Sequence, residues 1–245
     1  MRAIVILLTW ICLSICSHIE AVGKRNSQAS EDHLLNDLLQ SVSRIVRPSY
    51  NSSVGVTVGL SLTPLYIDGI EEIGPEEAKL TVVGWLLYRW KDFHLQWNPE
   101  EYDGITEIRV PIDLIWKPDI VLYNNLDVEL EVDGSALATI ENFGTVLWAP
   151  RTKLRVLATK PVTSSSWMNW TPREYDWSAE FKFMSWAYDG FKLDLQLEGE
   201  EMHVWDFKSR TYSIVNHSAN RTEVYYACCP EPFPSITYTI QLKLN

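Results

Sequence analysis

The sequence predicts an all-β protein, an antiparallel sandwich or barrel with a single helix ahead of it. Three observations carry this. Apolar residues alternate with period two at Val54, Val56, Val58, Leu60 and Leu62, and again at Ile236, Tyr238, Ile240, Leu242 and Leu244. Further short β-rich runs fall at 80–90, 106–110, 145–148, 153–158, 180–188, 191–197 and 222–227. Turn signals separate the runs, among them Asp68-Gly, Asp103-Gly, Asp133-Gly and Asp189-Gly, and many short strands punctuated in this way pack as antiparallel layers.

The elements follow in chain order. Met1-Arg2 gives a positive start, Ala3 to Cys16 runs almost without charge, and Ser17 and Ala21 offer small residues for cleavage. That is the pattern of a secretory leader over residues 1–21, and its apolar run is shorter than the ~20 residues a membrane-spanning helix requires. The remaining 22–245 reads as one domain, with no repeat, low-complexity tract or flexible linker. Leu34, Leu35, Leu38, Leu39, Val42, Ile45 and Val46 follow a helical period, Ser30 with Glu31 and Asp32 opens the helix, and Arg47-Pro48 is expected to end it. In the last strand Thr237, Thr239, Gln241 and Lys243 face away from the apolar set.

The 245 residues carry 21 basic and 32 acidic side chains, a net charge of −11, which repels phosphate backbones and draws cations instead. With the leader gone, Cys228 and Cys229 are the two cysteines left. Export favours pairing them, although neighbours on a trans peptide are ~3.8 Å apart at Cα, below the usual disulfide range. The alternatives are two free thiols or bridges to another chain. Export also gives meaning to the glycosylation sequons at Asn51, Asn169, Asn216 and Asn220, which are expected on exposed loops.

Catalytic and metal patterns are weak. His33, His94, His203 and His217 form no paired ligand motif, two adjacent cysteines make a poor zinc clamp, and no nucleophile elbow or phosphate-cradling glycine loop is present. No metal or other cofactor is implied. Carboxylates cluster at Glu100, Glu101 and Asp103, at Glu129, Glu131 and Asp133, and at Glu198, Glu200 and Glu201. A hydrolase would need two of them facing one another across a cleft, whereas acidic surface loops are far commoner. The expectation is a non-enzyme.

Aromatic residues are the unusual feature, with 11 Trp and 11 Tyr, several in polar or turn-rich contexts. Their negative ring faces attract ammonium groups, most strongly where water is excluded. Clustered aromatics in a secreted acidic β protein suggest an organic-cation cage or a sugar-stacking platform, and ordinary core packing accounts for most individual rings.

Four ordered blocks sharpen the reading. The run from Ile108 to Asn125 contains Trp116-Lys-Pro-Asp119; Met184 to Gly190 reads Met-Ser-Trp-Ala-Tyr-Asp-Gly; Tyr225 to Glu231 reads Tyr-Tyr-Ala-Cys-Cys-Pro-Glu; and Trp85 precedes the stretch Trp90 to Pro99. Together they resemble the extracellular domain of the Cys-loop ligand-gated receptors, and, with no spanning segment, their soluble secreted relatives, the acetylcholine-binding proteins. The resemblance implies a β-sandwich of the nicotinic receptor ectodomain type and a homopentamer binding acetylcholine or nicotine-like amines at subunit interfaces. The extracellular part of a channel subunit is the alternative within the family, and a secreted carbohydrate-binding module the alternative outside it.

Position by position, the resemblance puts Tyr123, Trp186, Tyr188, Tyr226, Cys228, Cys229 and Phe233 on the principal face of the site. Trp85, Leu147 and Ala149 fall on the complementary face, with Trp148 turned elsewhere by strand alternation. Trp186 would be the main cation-π face, and Pro118 and Asp119 would shape the turn. Each ring against a desolvated ammonium contributes ~2 kcal/mol at most, so three to five of them could support about micromolar or tighter binding. The resemblance also implies a Cys228–Cys229 disulfide. Departures are specific: no cysteine lies between positions 17 and 227, Ala179 stands where a closing cysteine is expected, and the segment Ser164 to Ser178 carries Trp167, Trp170, Pro172 and Trp177 instead. Phe233 replaces the family's usual tyrosine, and Ala149 replaces a larger apolar side chain.

Overall fold

A computed structural model of the chain describes residues 30–50, 54–128, 130–161, 174–199 and 202–245. The expected leader, Asn51, Asn169, Trp167, Trp170, Pro172, Glu129, Glu200 and Glu201 lie outside the described residues.

One helix, α1 (30–41), precedes the strands. Leu34 and Leu38 are buried and Leu35 and Leu39 pack beside them, so the helical stripe does what its period requires. The helix stops earlier than the sequence suggests, before Ile45 and Val46, which are exposed. Ser43 supplies the reason: its hydroxyl accepts the amides of Ile45 at 3.3 Å and Val46 at 3.0 Å, a local turn that competes with further helix. Arg47 then ties the connection down by donating to the carbonyls of Val54 at 2.8 Å and Lys192 at 2.6 Å.

Twelve strands follow: β1 (Val56–Glu72), β2 (Glu77–Gln96), β3 (Glu107–Pro111), β4 (Ile120–Leu122), β5 (Glu131–Val132), β6 (Leu137–Glu141), β7 (Phe143–Trp148), β8 (Arg151–Thr159), β9 (Trp177–Ser185), β10 (Leu193–Leu197), β11 (Tyr212–Val224) and β12 (Phe233–Leu244). All pair antiparallel except β1 with β10, which run parallel. The arrangement is an antiparallel β-sandwich. One layer takes β4, β9, β12 and β11; the other is built on β1 and β2, with β8 and β7 on successive halves of the far edge of β2. The layers are joined at β8–β9, where the ladder is only two residue pairs long, Ala158 with Ala179 and Thr159 with Ser178.

Alternating apolar residues from both layers meet in the core, including Val58, Leu60 and Leu62 of β1 and Ile236, Tyr238, Ile240 and Leu242 of β12. The buried Tyr238 hydroxyl donates across the layers to the carbonyl of Leu60 at 2.7 Å. Burial in this core pushes the Tyr238 hydroxyl far above its ordinary pKa, so it remains a donor. Five of the described tryptophans are core residues: Trp90, Trp97, Trp116, Trp148 and Trp177. Trp90 meets Trp116 edge-on at 6.0 Å, and Tyr88 stacks on Trp148 at 5.1 Å.

Several expected boundaries shift. β11 starts ten residues before the β-rich run at 222–227, because it is a sheet edge with one partner and its sequence has no buried face to display. Asn216 and Asn220 therefore sit on a strand and not on a loop, with both side chains exposed. Val54 and Leu244 are exposed, outside the buried alternation. Trp177, expected within an irregular segment, is the first residue of β9 and is buried under Lys160, whose ammonium lies 4.6 Å from the ring centre. Its neighbour Ala179 is buried between Ala158 and Ile240 in the ladder.

Candidate functional site

The principal-face residues gather at one end of the β4–β9–β12–β11 layer because three ladder registers bring their segments side by side. Ile120 pairs with Ser185, Met184 with Ser235, and Val224 with Phe233. Trp186 leaves β9 at the Ile120–Ser185 end, Tyr226 and the two cysteines lie in the β11–β12 turn, and Tyr123 leaves β4 at its other end, beside Lys182.

Trp186 follows β9 directly and is 74% exposed. Its backbone is fixed nonetheless. The Trp186 amide donates to the Asp119 carbonyl at 3.2 Å, the Ala187 amide to Asp119 Oδ2 at 2.7 Å, and the Ser185 hydroxyl to Asp119 Oδ1 at 2.6 Å. The Ser185 oxygen in turn accepts the Tyr188 amide at 2.9 Å. Trp116 is buried, so the Trp116-Lys-Pro-Asp119 run anchors one end in the core and offers the carboxylate at the other. Tyr188 is half-buried and packs on the core, which makes it a support of the loop more than an open ring face.

Tyr123 follows β4, is 53% exposed, and donates its amide to the Lys182 carbonyl at 2.7 Å. The Lys182 ammonium lies 5.3 Å from the centre of the Tyr123 ring, so this ring already faces a cation within the chain. Asn124 stiffens the same corner: its side chain accepts the Lys182 amide at 3.0 Å and donates to the Glu180 carbonyl at 2.8 Å. Sequence reasoning did not single out Lys182; the available signal was a polar residue at an outward position of a strand opposite a candidate ring.

The β11–β12 hairpin supplies the third group. Tyr226 is 42% exposed and meets Phe233 edge-on, with ring centres 5.2 Å apart and planes at 71°. Cys228 and Cys229 are disulfide-bonded to one another with Cα atoms 3.8 Å apart, and the Cys229 amide donates to the Tyr226 carbonyl at 3.1 Å. The vicinal ring and the two aromatics thus form one tip. Beside them the Tyr225 hydroxyl donates to Glu223 at 3.2 Å, which raises its pKa.

The complementary-face residues lie on the other layer. Trp85 sits mid-β2, between Thr63 of β1 and Arg151 of β8, and is 43% exposed. Leu147 of β7 lies between Arg89 and Thr139 and is half-buried, and Ala149 just beyond is exposed. Trp148 between them turns into the core as alternation predicts, its indole donating to the Ala136 carbonyl at 3.0 Å. A further exposed tryptophan, Trp205, went unnoticed in the sequence. Its segment is tied to β1 through Lys208, whose amide donates to the Leu65 carbonyl at 2.7 Å, two residues from the Trp85 partner Thr63.

Among the described residues no ring contact joins the principal group to the complementary group. Exposed rings stand in both groups, Trp186, Tyr123 and Tyr226 in one and Trp85 in the other. A separate cleft of about 390 Å³, lined by Gly69, Thr81, Leu126 and Arg155 among others, contains none of these rings, and its Arg155 is paired with Asp127.

Two of the described carboxylates in the acidic groups have partners of their own. Glu198 is bound by Arg89 at 2.6 Å, and Asp133 accepts the Ser135 hydroxyl and amide, which hold its carboxyl below the ordinary range. Among the described residues no group of three His, Cys, Asp or Glu side chains could hold a metal, and no helix is long and apolar enough to cross a membrane.

Comparison with known proteins gives a consistent picture. Residues 31–244 match the family model described as the neurotransmitter-gated ion-channel ligand binding domain. The neuronal acetylcholine receptor subunit alpha-6 of Mus musculus is 32% identical over 235 residues, covering 95% of this chain and 45% of that protein. The alpha-3 subunit of Bos taurus is 33% identical over 216 residues, covering 87% of this chain and 41% of that protein. The chain therefore spans less than half the length of these receptor subunits. Among solved structures, Capitella teleta AChBP in complex with lobeline superposes with a TM-score of 0.76 at 26% identity, over 88% of this chain and 98% of that one.

Proposed function

The chain belongs to the family of neurotransmitter-gated ion-channel ligand-binding domains, and from that premise we propose that it is a secreted acetylcholine-binding protein. In this reading it binds acetylcholine or nicotine-like amines and catalyses nothing. The observation that carries it is the exposure of the same rings that the four sequence blocks singled out, Trp186, Tyr123, Tyr226 and Trp85, while five other tryptophans are buried. Exposed rings at fixed backbone positions are what a cation cage requires, because π attraction to an ammonium grows when a second surface excludes water. The two half-sites on opposite layers support a cage completed between copies of the chain, in a closed homopentameric ring. Tyr123, Trp186, Tyr188, Tyr226, Phe233 and the Cys228–Cys229 tip would form one wall, and Trp85, Leu147 and Ala149 of the next protomer the other. The similarity to an AChBP over nearly its whole length, bound to lobeline, supports the ligand class.

Mixed assembly tests both parts of the reading. Trp186→Ala and Trp85→Ala, each expressed alone, are expected to lose cholinergic affinity by roughly 30-fold, the equivalent of ~2 kcal/mol. Co-expressed, they should recover a fraction of wild-type sites, because an intact Trp186 wall then meets an intact Trp85 wall. Unchanged affinity in both single variants would sink the cage; loss without recovery in the mixture would sink the interface. Neutral glycans should compete with neither.

A second reading has one observation in its favour. More than half the length of the matched receptor subunits lies outside the matched region, which fits the extracellular part of a channel subunit. A transcript whose reading frame runs past Asn245 into an apolar span would decide for it.

A further inference from the structure

The edge strand β11 carries a feature that ligand binding does not use. It is thirteen residues long, pairs among the described residues only with β12, and leaves its other edge without a ladder partner. Long strand edges template pairing with other chains, and proteins blunt them with charges, prolines, bulges or covers. β11 has few of these devices. One register shift falls between Ile214 and Asn216, and no proline or lysine occurs along the strand. The guanidinium of its Arg221 is turned inward, bonded to Asp194 at 2.8 Å, to Glu223 at 2.9 Å and to the Leu195 carbonyl at 2.8 Å.

The strand instead holds two sequons, Asn216-His-Ser and Asn220-Arg-Thr. Asn216 and Asn220 are four residues apart, so their side chains leave the same face of the strand. Both are exposed, as is Ser218 between them. That face is polar across three strands: Asn216 lies beside Gln241 and then Ser178, Ser218 beside Thr239 and Glu180, Asn220 beside Thr237 and Lys182. Exposed Val215 occupies the register shift, and the paired residues around the two asparagines are polar. The Asn216 side-chain nitrogen donates to Gln241 at 3.2 Å, and a glycosylated amide nitrogen keeps one hydrogen, so modification is compatible with that bond.

We propose that Asn216 and Asn220 carry N-linked glycans whose role is to cover the open edge of β11 and hold this face in solvent. The inference rests on the secretory reading above, since the sugar is added only in the secretory lumen. It also fixes a consequence for assembly: the polar patch around Asn216, Ser218 and Asn220 lies outside the contacts between copies, which fall at the Tyr226–Phe233 end of this layer.

The test uses the full chain with its own leader, expressed in animal cells and followed by glycopeptide mass spectrometry. Occupied Asn216 and Asn220 are expected, and the same digest reports Asn51 and Asn169 as internal controls. Sugar on Asn51 or Asn169 with none at Asn216 and Asn220 overturns this inference and leaves export standing. A chain without sugar at all four that stays out of the lumen overturns both. The protective role is read by trimming the native protein with an endoglycosidase that leaves only the first sugar, so that no side chain is changed. The single sharp particle in light scattering should be lost to growing aggregates on concentration, and the double variant Ser218→Ala with Thr222→Ala should behave alike. A trimmed protein that keeps its particle size over the same range overturns the role.

Discussion

The Asp119 carboxylate accepts the Ala187 amide at 2.7 Å, fixing the residue that follows Trp186, and its other oxygen holds the Ser185 hydroxyl on the near side at 2.6 Å. The most exposed ring of the principal face is thus carried on a clamped backbone. Clamping matters because a cage that must be ordered on binding loses affinity to the cost of ordering it. Asp119→Ala removes a charged acceptor from two donors at once, and is expected to lose about 2 kcal/mol of stability and the larger part of cholinergic affinity. Asp119→Asn keeps one acceptor and should fall between. Urea unfolding and ligand titration on the same samples check this; an Ala variant with native affinity would show that the clamp is not needed.

Lys182 presents its ammonium to the Tyr123 ring, where a cationic guest would also be drawn. Lys182→Met keeps most of the stem and removes the charge. We expect roughly a threefold rise in affinity for nicotine-like amines and a weaker dependence on salt, the size typical of one part-exposed charge. Isothermal titration at low and high ionic strength measures both. A fall in affinity would mean that the lysine supports the cage instead of opposing the guest.

The Cys228–Cys229 bond closes almost no chain, so it contributes little through the unfolded state. The double variant Cys228→Ser with Cys229→Ser should therefore unfold within about 1 kcal/mol of wild type. Its affinity is expected to drop by roughly tenfold, because the Tyr226–Phe233 tip loses its stiffening element. Equal affinity in the reduced or substituted protein would remove the ring from the site.

Asp92 is almost fully buried, and burial raises its carboxyl above the ordinary range, against the lowering effect of the His94 amide and ring that it meets at 2.9 and 3.1 Å. A raised folded pKa means that the stability from this group is fully present below the unfolded pKa and is lost as pH rises through the folded one. Asp92→Asn should therefore gain on wild type as pH climbs from below about 4 toward neutrality. Unfolding free energies across that range give the answer; a wild type that gains on the variant would show that attraction to His94 outweighs burial.

Much of the sandwich was legible because burial of one strand face imposes a period of two, as at Val56 to Leu62 and Ile236 to Leu242. β11 was legible only at its end, since an edge strand with one partner has no apolar face to write into the sequence. The helix end was misplaced for a related reason: Ile45 and Val46 keep the helical spacing, and a single Ser43 hydroxyl redirects their amides.

At the candidate site, residue type and spacing pick out the four blocks, because both are written along the chain. The sequence by itself also determined the acidic surface, the vicinal cysteines and the sequons. Which of the remaining rings are open depends on where each strand ends and what it pairs with. Alternation alone separates Trp148 from its neighbours, but Trp177 and Trp186 read alike on the page, and they differ because the first is an inward position of β9 and the second lies just past the end of that strand. Lys182 reached the Tyr123 ring in the same way, through a β4–β9 ladder that joins residues far apart in the chain. Such contacts depend on register between distant segments, and register is settled when whole faces are buried together.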